Sequence, residues 1–439
     1  MYFLGIDIGS TFLKCALLST EDHSVSFVRS VPSPQRIPSE DPKYFVYDAG
    51  QFVCIIRKLI AWAVEACGGD IGVVMSTQMH GFVAEEKYFS WQDSRCLASM
   101  DGGISYLDYM KNAVSPAEMQ NCGVYFKPSL GVCNLFAKLH TEGRSGDGLE
   151  VFTLGSYILH SLCDENCCHI TNAAPFGFVD IERGEWRREL FAKFDLSGLR
   201  LPRIVRDDYA PCGRCVVGDA TVTFYPDYGD QQVSVLGSGA NCGDAIINIA
   251  TASQLIAFSD APEYGDYEVR PYFDGAYIKV LSNMPGGRGL QVLVEFVKDI
   301  ARKICGRDAD DETVFSYICY LPPVNTRRLT VDMSFYPTYD KFDGGSISHI
   351  THNNLTIDTL FSAAYENMSA AYRDGFRRLL SEAPKSIVCI GGVAQKNTSL
   401  RTAIENALRC PCRLPKEADE VLKGLLHIAE KIALLQGKE

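Results

Sequence analysis

The chain has 439 residues, 46% hydrophobic and 22% charged, with 42 Lys and Arg against 54 Asp and Glu for a formal net charge of −12. That length exceeds what one hydrophobic core organises, so two domains with a groove between them are expected. The acidic balance repels nucleic-acid phosphates and no apolar run approaches membrane-spanning length, so neither nucleic acid nor a membrane is an expected partner.

The first residues, Met1-Tyr2-Phe3-Leu4-Gly5, run into Asp7 with no basic leader. With 17 cysteines, this reads as a cytoplasmic chain carrying thiols. Residues 3–18 form two apolar segments joined by Gly9-Ser10-Thr11, the pattern of two strands and a tight turn. Asp7 lies on the first strand, where burial is costly unless it meets a cation, a proton or several donors. It can hold a hydrated magnesium ion, while Ser10, Thr11 and Lys14 suit phosphate oxygens. A plain hairpin with an ordinary Asp is the alternative.

Apolar residues at helical spacing cover 51–67, and Ile71 to Met75 reads as a buried strand ending in Ser76-Thr77-Gln78-Met79-His80-Gly81. Gln78, Met79 and His80 offer an amide, a thioether and an imidazole, a wall suited to a polyol. Trp91, Asp93 and Arg95 follow, suited to stacking on a carbon face and reading hydroxyls; Asp93 and Arg95 fit a structural ion pair equally well. Tyr157 to Cys163 reads as helical. Cys163, Cys167 and Cys168 before His169, with the Cys212/Cys215 pair, admit a zinc site, but a second spaced pair is missing and scattered thiols are the plainer reading.

Past the middle stands Tyr228-Gly229-Asp230-Gln231-Gln232. The glycine lets the backbone bend and the two amides can orient a polar ligand, so Asp230 is a candidate general base at a junction between halves; simple turn chemistry is the alternative. Residues 244–256 then repeat the design of 3–18, with Thr251 and Ser253 in the hydroxyl positions. Gly286 and Gly287 open an amphipathic helix whose first N–H groups would face an anion. Residues 356–382 read as a long helix, Ser386 to Ile390 as a strand, Gly391 to Ala394 as a tight turn, Leu400 to Leu408 as a helix, and a last helix starts near Ala418 with Gly424 inside it.

Three motifs in order, Asp7-Ile8-Gly9-Ser10-Thr11, Gln78-Met79-His80-Gly81 and Trp91-Gln92-Asp93-Ser94-Arg95, resemble the FGGY carbohydrate kinases. Gly229 to Ser234, Asn248 to Leu255, Pro271-Tyr272-Phe273 and Gly286-Gly287 resemble the family's sedoheptulokinase branch more than its xylulokinase branch. The resemblance implies an α/β fold of two actin-like (ribonuclease H-like) domains with a central interdomain cleft, residues 1–231 binding the sugar and 232–439 the nucleotide. It implies ATP and Mg2+ as cofactors and a small-molecule sugar as partner, with a homodimer allowed. Asp230 would be the base and Asp7 the metal-side carboxylate. Gln78, Met79, His80, Trp91, Asp93, Arg95 and Gln231 would read the sugar. Ser10, Thr11, Lys14, Thr251, Ser253, Gly286 and Gly287 would hold phosphates, and Gly391, Gly392 and Asn397 the adenosine. Val393 replaces the small residue usual in the family's adenosine motif, which leaves nucleotide affinity open. Xylulose or another pentulose or polyol is the alternative substrate, and an actin-like ATPase or a non-catalytic sugar sensor the alternative of another class.

Overall fold

A computed structural model describes residues 1–322, 328–336, 344–416 and 419–437. Its first sheet holds β1 (Tyr2–Ile8), β2 (Phe12–Ser19), β3 (Ser24–Pro32), β4 (Ile71–Thr77), β5 (Gly213–Val217) and β6 (Ala220–Gly229), in the order β5-β6-β4-β1-β2-β3. β1, β2 and β3 form an antiparallel meander, and β4 and β6 add on in parallel. The near-continuous apolar runs of β1 and β4 fit strands covered on both faces. Leu4, Ile6, Ile8, Val73 and Met75 pack against α1 (Ala49–Cys67) and the helix Leu154–Cys163, while Phe3, Ala16, Leu18 and Val74 face the other way. Asp48 starts α1 by accepting the Gly50 N–H at 2.9 Å, and Gly68 ends it at φ +68°.

β6 carries Pro226, which cannot donate to a ladder, and the pairing with β4 slips by one residue between Phe224 and Asp227. The bulge resets the alternation. Tyr225 and Tyr228 therefore share one face, and Asp227 turns towards the helix Leu154–Cys163, where its oxygen accepts from Thr153.

The second sheet repeats the plan with β7 (Ala245–Ile249), β8 (Ser253–Ser259), β9 (Glu268–Pro271), β10 (Tyr277–Met284), β11 (Ile387–Ile390) and β12 (Cys412–Arg413), in the order β9-β10-β8-β7-β11-β12. β7, β8 and β10 are the second meander, and β11 and β12 the parallel additions. The echo between residues 3–18 and 244–256 is thus a repeat of whole half-molecules. Its main core lies against α4 (Ile357–Leu379) through Phe361, Ala364, Met368, Tyr372 and Phe376.

Two helices depart from the expected division. α2 (Asp230–Gly237) sends Val233 into the core of the first sheet and Val235 into that of the second. The last helix, α7 (Glu420–Gln436), lays Leu422, Leu425, Leu426, Ala429 and Ile432 on the first sheet beside α2, although it falls within the expected second domain. Ala418, its expected start, lies outside the described residues. α2 and α7 cross with backbones in contact: a Cβ on Gly237 would sit 1.7 Å from the Glu420 carbonyl, and one on Gly424 2.1 Å from that of Val233.

All cysteines are free thiols. Among the described residues no group of three His, Cys, Asp or Glu is arranged to hold a metal, so the zinc alternative is set aside. Nor does any described helix have the length and apolarity to cross a membrane.

Candidate active site

Ligands in open α/β sheets bind beyond the carboxyl ends of the strands. In the first sheet Ile8, Thr77 and Gly229 are aligned across β1, β4 and β6. Asp7 therefore stands one residue before this edge, and Gln78 and Asp230 one residue after it. Gly229 is closely packed: a Cβ there would meet the Met79 sulfur at 2.6 Å, Gln232 Oε1 at 2.7 Å and the Thr171 carbonyl at 3.0 Å. Met79 thus packs beneath the peptide that carries Asp230 and is buried.

Asp230 is the first residue of α2, with Oδ1 accepting the Gln231 N–H at 2.8 Å. Burial pushes its carboxyl up to about 6, against the pull of that N–H and of the Arg270 guanidinium. The value of about 3.9 for an unperturbed Asp therefore does not apply. Asp7 is pushed up to about 7 by burial and then by the charges of Asp230 and Asp419, with Lys14 opposing. Ser10 and Thr11 are exposed at the turn between β1 and β2.

Gln231 joins this edge to the second half. Its Nε2 donates to Gln254 at 2.7 Å, and its Oε1 accepts from Arg270. Arg270 also donates to Glu268, which takes the Lys127 ammonium on its other oxygen. These two cations hold Glu268 well below the carboxylate range although burial opposes them. Burial, aided by Lys127 and Arg270, drives the His80 imidazole well below its usual value and keeps it neutral. Its Nδ1–H donates to the Pro175 carbonyl at 2.9 Å, which leaves Nε2 as an acceptor for a hydroxyl. His80 holds this pose at φ +70°, a backbone strain found at sites more than in scaffolds. Trp91 is 43% exposed.

Other expected residues are otherwise engaged. Asp93, fully buried, forms a two-pronged pair with Arg95 at 2.8 and 2.9 Å and also takes the Phe45 N–H, which is the structural alternative. The Lys14 ammonium is bound to Asp419 at 3.0 Å, tying β2 to the start of α7. Ser253 lies on the inward face of β8 with Leu255 and Ala257, and its hydroxyl meets Tyr372 at 2.9 Å. The opening of α3 (Gly287–Cys305) has no free N–H groups at its first two positions: Gly287 donates to Ala250 and Arg288 to Thr251, both at 2.9 Å. Gly286 and Gly287 thus clamp the β7–β8 turn, leaving Thr251 exposed at its tip. Asn397 is a helix cap, accepting the Leu400 N–H at 2.8 Å and donating to Tyr365, at the start of α6 (Thr398–Leu408). Gly391, at φ +86°, ends β11, and with Gly392 it opens α5 (Gly392–Lys396) where a tight turn was expected; a Cβ on Gly392 would meet nothing within 4 Å.

Sequence reading missed a buried carboxyl group on β6, three residues before Asp230. Asp227 accepts from Thr153 at 2.8 Å and from the His169 N–H and Asn172 at 2.9 Å, and burial still pushes it up to about 7. A charge inside the apolar run Phe224 to Tyr228 was the available signal.

The chain is 22% identical to the sedoheptulokinase of Mus musculus, over 98% of this chain and 97% of that one, and 22% identical to that of Homo sapiens over 96% of both. The glycerol kinase of Plasmodium falciparum with ADP superposes at a TM-score of 0.82 and 15% identity, covering 99% of this chain and 90% of that one. The xylulose kinase of Rhodospirillum rubrum does so at 0.82 and 18%, covering 100% and 90%. Such likenesses fix the fold as two actin-like halves. Residues 2–237, more than half of the chain, match the N-terminal domain of the FGGY family of carbohydrate kinases, and to that family of enzymes this protein belongs.

Proposed function

We propose that the protein transfers the γ-phosphoryl group of ATP to a hydroxyl of a ketose, sedoheptulose first, with Asp230 as the general base. The observation that carries this reading is a half-buried carboxylate at the start of α2, on the strand edge shared with Asp7 and Gln78, where Gln231 bonds across to Gln254 of the second half. Residues 1–231 would read the sugar and 232–439 the nucleotide. At about 6, Asp230 is mostly ionised at neutral pH and close enough to it to take up a proton. In a loose phosphoryl-transfer transition state the alcohol proton leaves late, so Asp230 orients the hydroxyl first and accepts its proton as the phosphorus–oxygen bond forms. ADP leaves with the electron pair of the broken bond.

Asp7 fits a magnesium ion, because a carboxylate raised by burial and then by neighbouring negative charge gains from a cation, and such ions take one or two carboxylates plus phosphates and water. When bound, the ion neutralises phosphate charge. Ser10, Thr11 and Thr251 are exposed at the two hairpin turns and would donate to the phosphates, with Gly391 and Gly392 beside the base of the nucleotide. Gln78, neutral His80, Trp91 and Gln231 would read the sugar. Closure of the halves would exclude water and prevent wasteful hydrolysis.

ADP release measured across a panel of ketoses and polyols tests the reading. Sedoheptulose is expected to give the highest kcat/KM, with xylulose and ribulose as the alternatives. ADP release equal with and without every sugar would leave an actin-like ATPase instead. With the best acceptor, kcat/KM is expected to be flat well above pH 6 and to fall about tenfold per pH unit below it, as Asp230 takes a proton and loses its lone pair. A profile unchanged down to pH 5 would count against Asp230.

A further inference from the structure

A directed chain of hydrogen bonds runs from the second half to the peptide that carries Asp230. One Asp208 oxygen accepts the Asp274 backbone N–H at 2.6 Å, and the other lies 2.9 Å from His169 Nε2. A carboxylate only accepts, so Nε2 carries the proton and Nδ1 is the acceptor. Nδ1 lies 2.7 Å from the Thr171 hydroxyl and also takes the Thr171 N–H, starting the helical turn Ile170–Ala173. The Thr171 hydroxyl therefore donates to the ring, and its oxygen is left to accept the Gly229 N–H at 3.0 Å. His169 and Thr171 are completely buried. The ring stacks on Phe273 with centroids 6.1 Å apart, and Phe273 belongs to the same turn of the second half as Asp274. Tyr209 donates to the Asp274 side chain at 3.1 Å, a second hold on that turn.

This chain ends where the base is most easily lost. Gly229 has no side chain to fix its backbone, and Asp230 follows directly from it. Its N–H hydrogen bond to Thr171 restrains the dihedral angles that aim the carboxylate. We propose that Thr171 and His169 are positioning residues for Asp230, and that Asp208 makes their hold depend on docking of the Asp274 turn from the second half. The proposal rests on the reading of Asp230 as the base. The anchor on the other side is Asp227, which takes the His169 N–H and the Asn172 amide, so the segment 169–172 is gripped from both ends.

Thr171→Val keeps the shape and removes the hydroxyl. With ATP and the most active sugar of the panel, it is expected to lower kcat about 30-fold, within the range an ångström of misplacement costs, while both KM values stay within about twofold. Thr171→Ser is expected to restore kcat to within about threefold of the parent, because the link to Gly229 survives. Asp208→Asn should lower kcat likewise, and the double variant Asp208→Asn/Thr171→Val should fall no further than Thr171→Val alone, as members of one chain do. A folded Thr171→Val protein with parental kcat overturns the proposal; so does a Ser variant that falls as far as the Val one, or full additivity in the double variant. If Thr171→Val does not fold, His169→Gln reads the same link, because its amide nitrogen stands in for Nε2 towards Asp208 while no atom takes the place of Nδ1 beside Thr171; parental kcat there is equally fatal. Asp230→Asn run alongside separates the two readings. Parental kcat in both Asp230→Asn and Thr171→Val removes the base, whereas loss only in Asp230→Asn removes the chain alone.

Discussion

Asp230→Asn is expected to bind ATP and sugar as the parent does and to lose about a thousandfold in kcat, the middle of the range for a general base. The substitution is close to isosteric, and an amide oxygen can still accept the Gln231 N–H that fixes Oδ1 at 2.8 Å. Geometry should therefore survive while the proton acceptor is gone. The charge change also acts on Asp7, whose carboxyl is raised to about 7 partly by Asp230. Removing that negative neighbour lowers Asp7 and makes it more readily ionised, which favours a cation. A loss of turnover thus cannot be assigned to a weakened metal side. Titration of nucleotide and sugar binding by calorimetry, with ADP release in the same preparation, checks the split; turnover near the parental rate would refute the base.

Gly424→Ala is expected to cost about 3 kcal/mol of stability, at the upper end for overpacking, because the clash is with main chain that has no rotamer to move. The new methyl would lie 2.1 Å from the Val233 carbonyl and within 3.0 Å of Val233 carbon atoms. Relief requires α7 to move off α2, which loosens Leu425, Leu426 and Ala429 from the first sheet. It also disturbs the pair between Lys14 and Asp419 at the start of α7. Thermal unfolding should show a clearly lowered midpoint, while an exposed substitution on the same helix such as Leu434→Ala should leave it nearly unchanged. Equal midpoints would mean the crossing is looser than the glycine contacts imply.

The sequence showed the two hairpins plainly, since each sets a small-hydroxyl turn between apolar strands, and the parallel strands at 71–77 and 387–390 were equally visible. Asp230 and the Gln78 to His80 segment stood out as candidates because they sit at strand ends, where period-2 patterning stops. Ser253 was misread as a phosphate ligand for the opposite reason: it keeps the period of Leu255 and Ala257 and so points into the core. Asn397, directly before Thr398-Ser399-Leu400, carried the signature of a helix cap, and the structure gives it that role. The chain of hydrogen bonds that ends at Gly229 could not be read. Asp208 lies 39 residues from His169, and Thr171 lies 58 from Gly229, so only the folded sheet brings them together.

The path of the polypeptide sets how this enzyme can move. The main chain passes from the first sheet to the second through α2 and comes back through the segment that leads into α7, and these two passages touch at Gly237 and Gly424. A body hung on two adjacent pins can swing about the line through them, but it resists sliding and twisting. The second half should therefore open and shut like a jaw, keeping its rim in register with the first through every cycle.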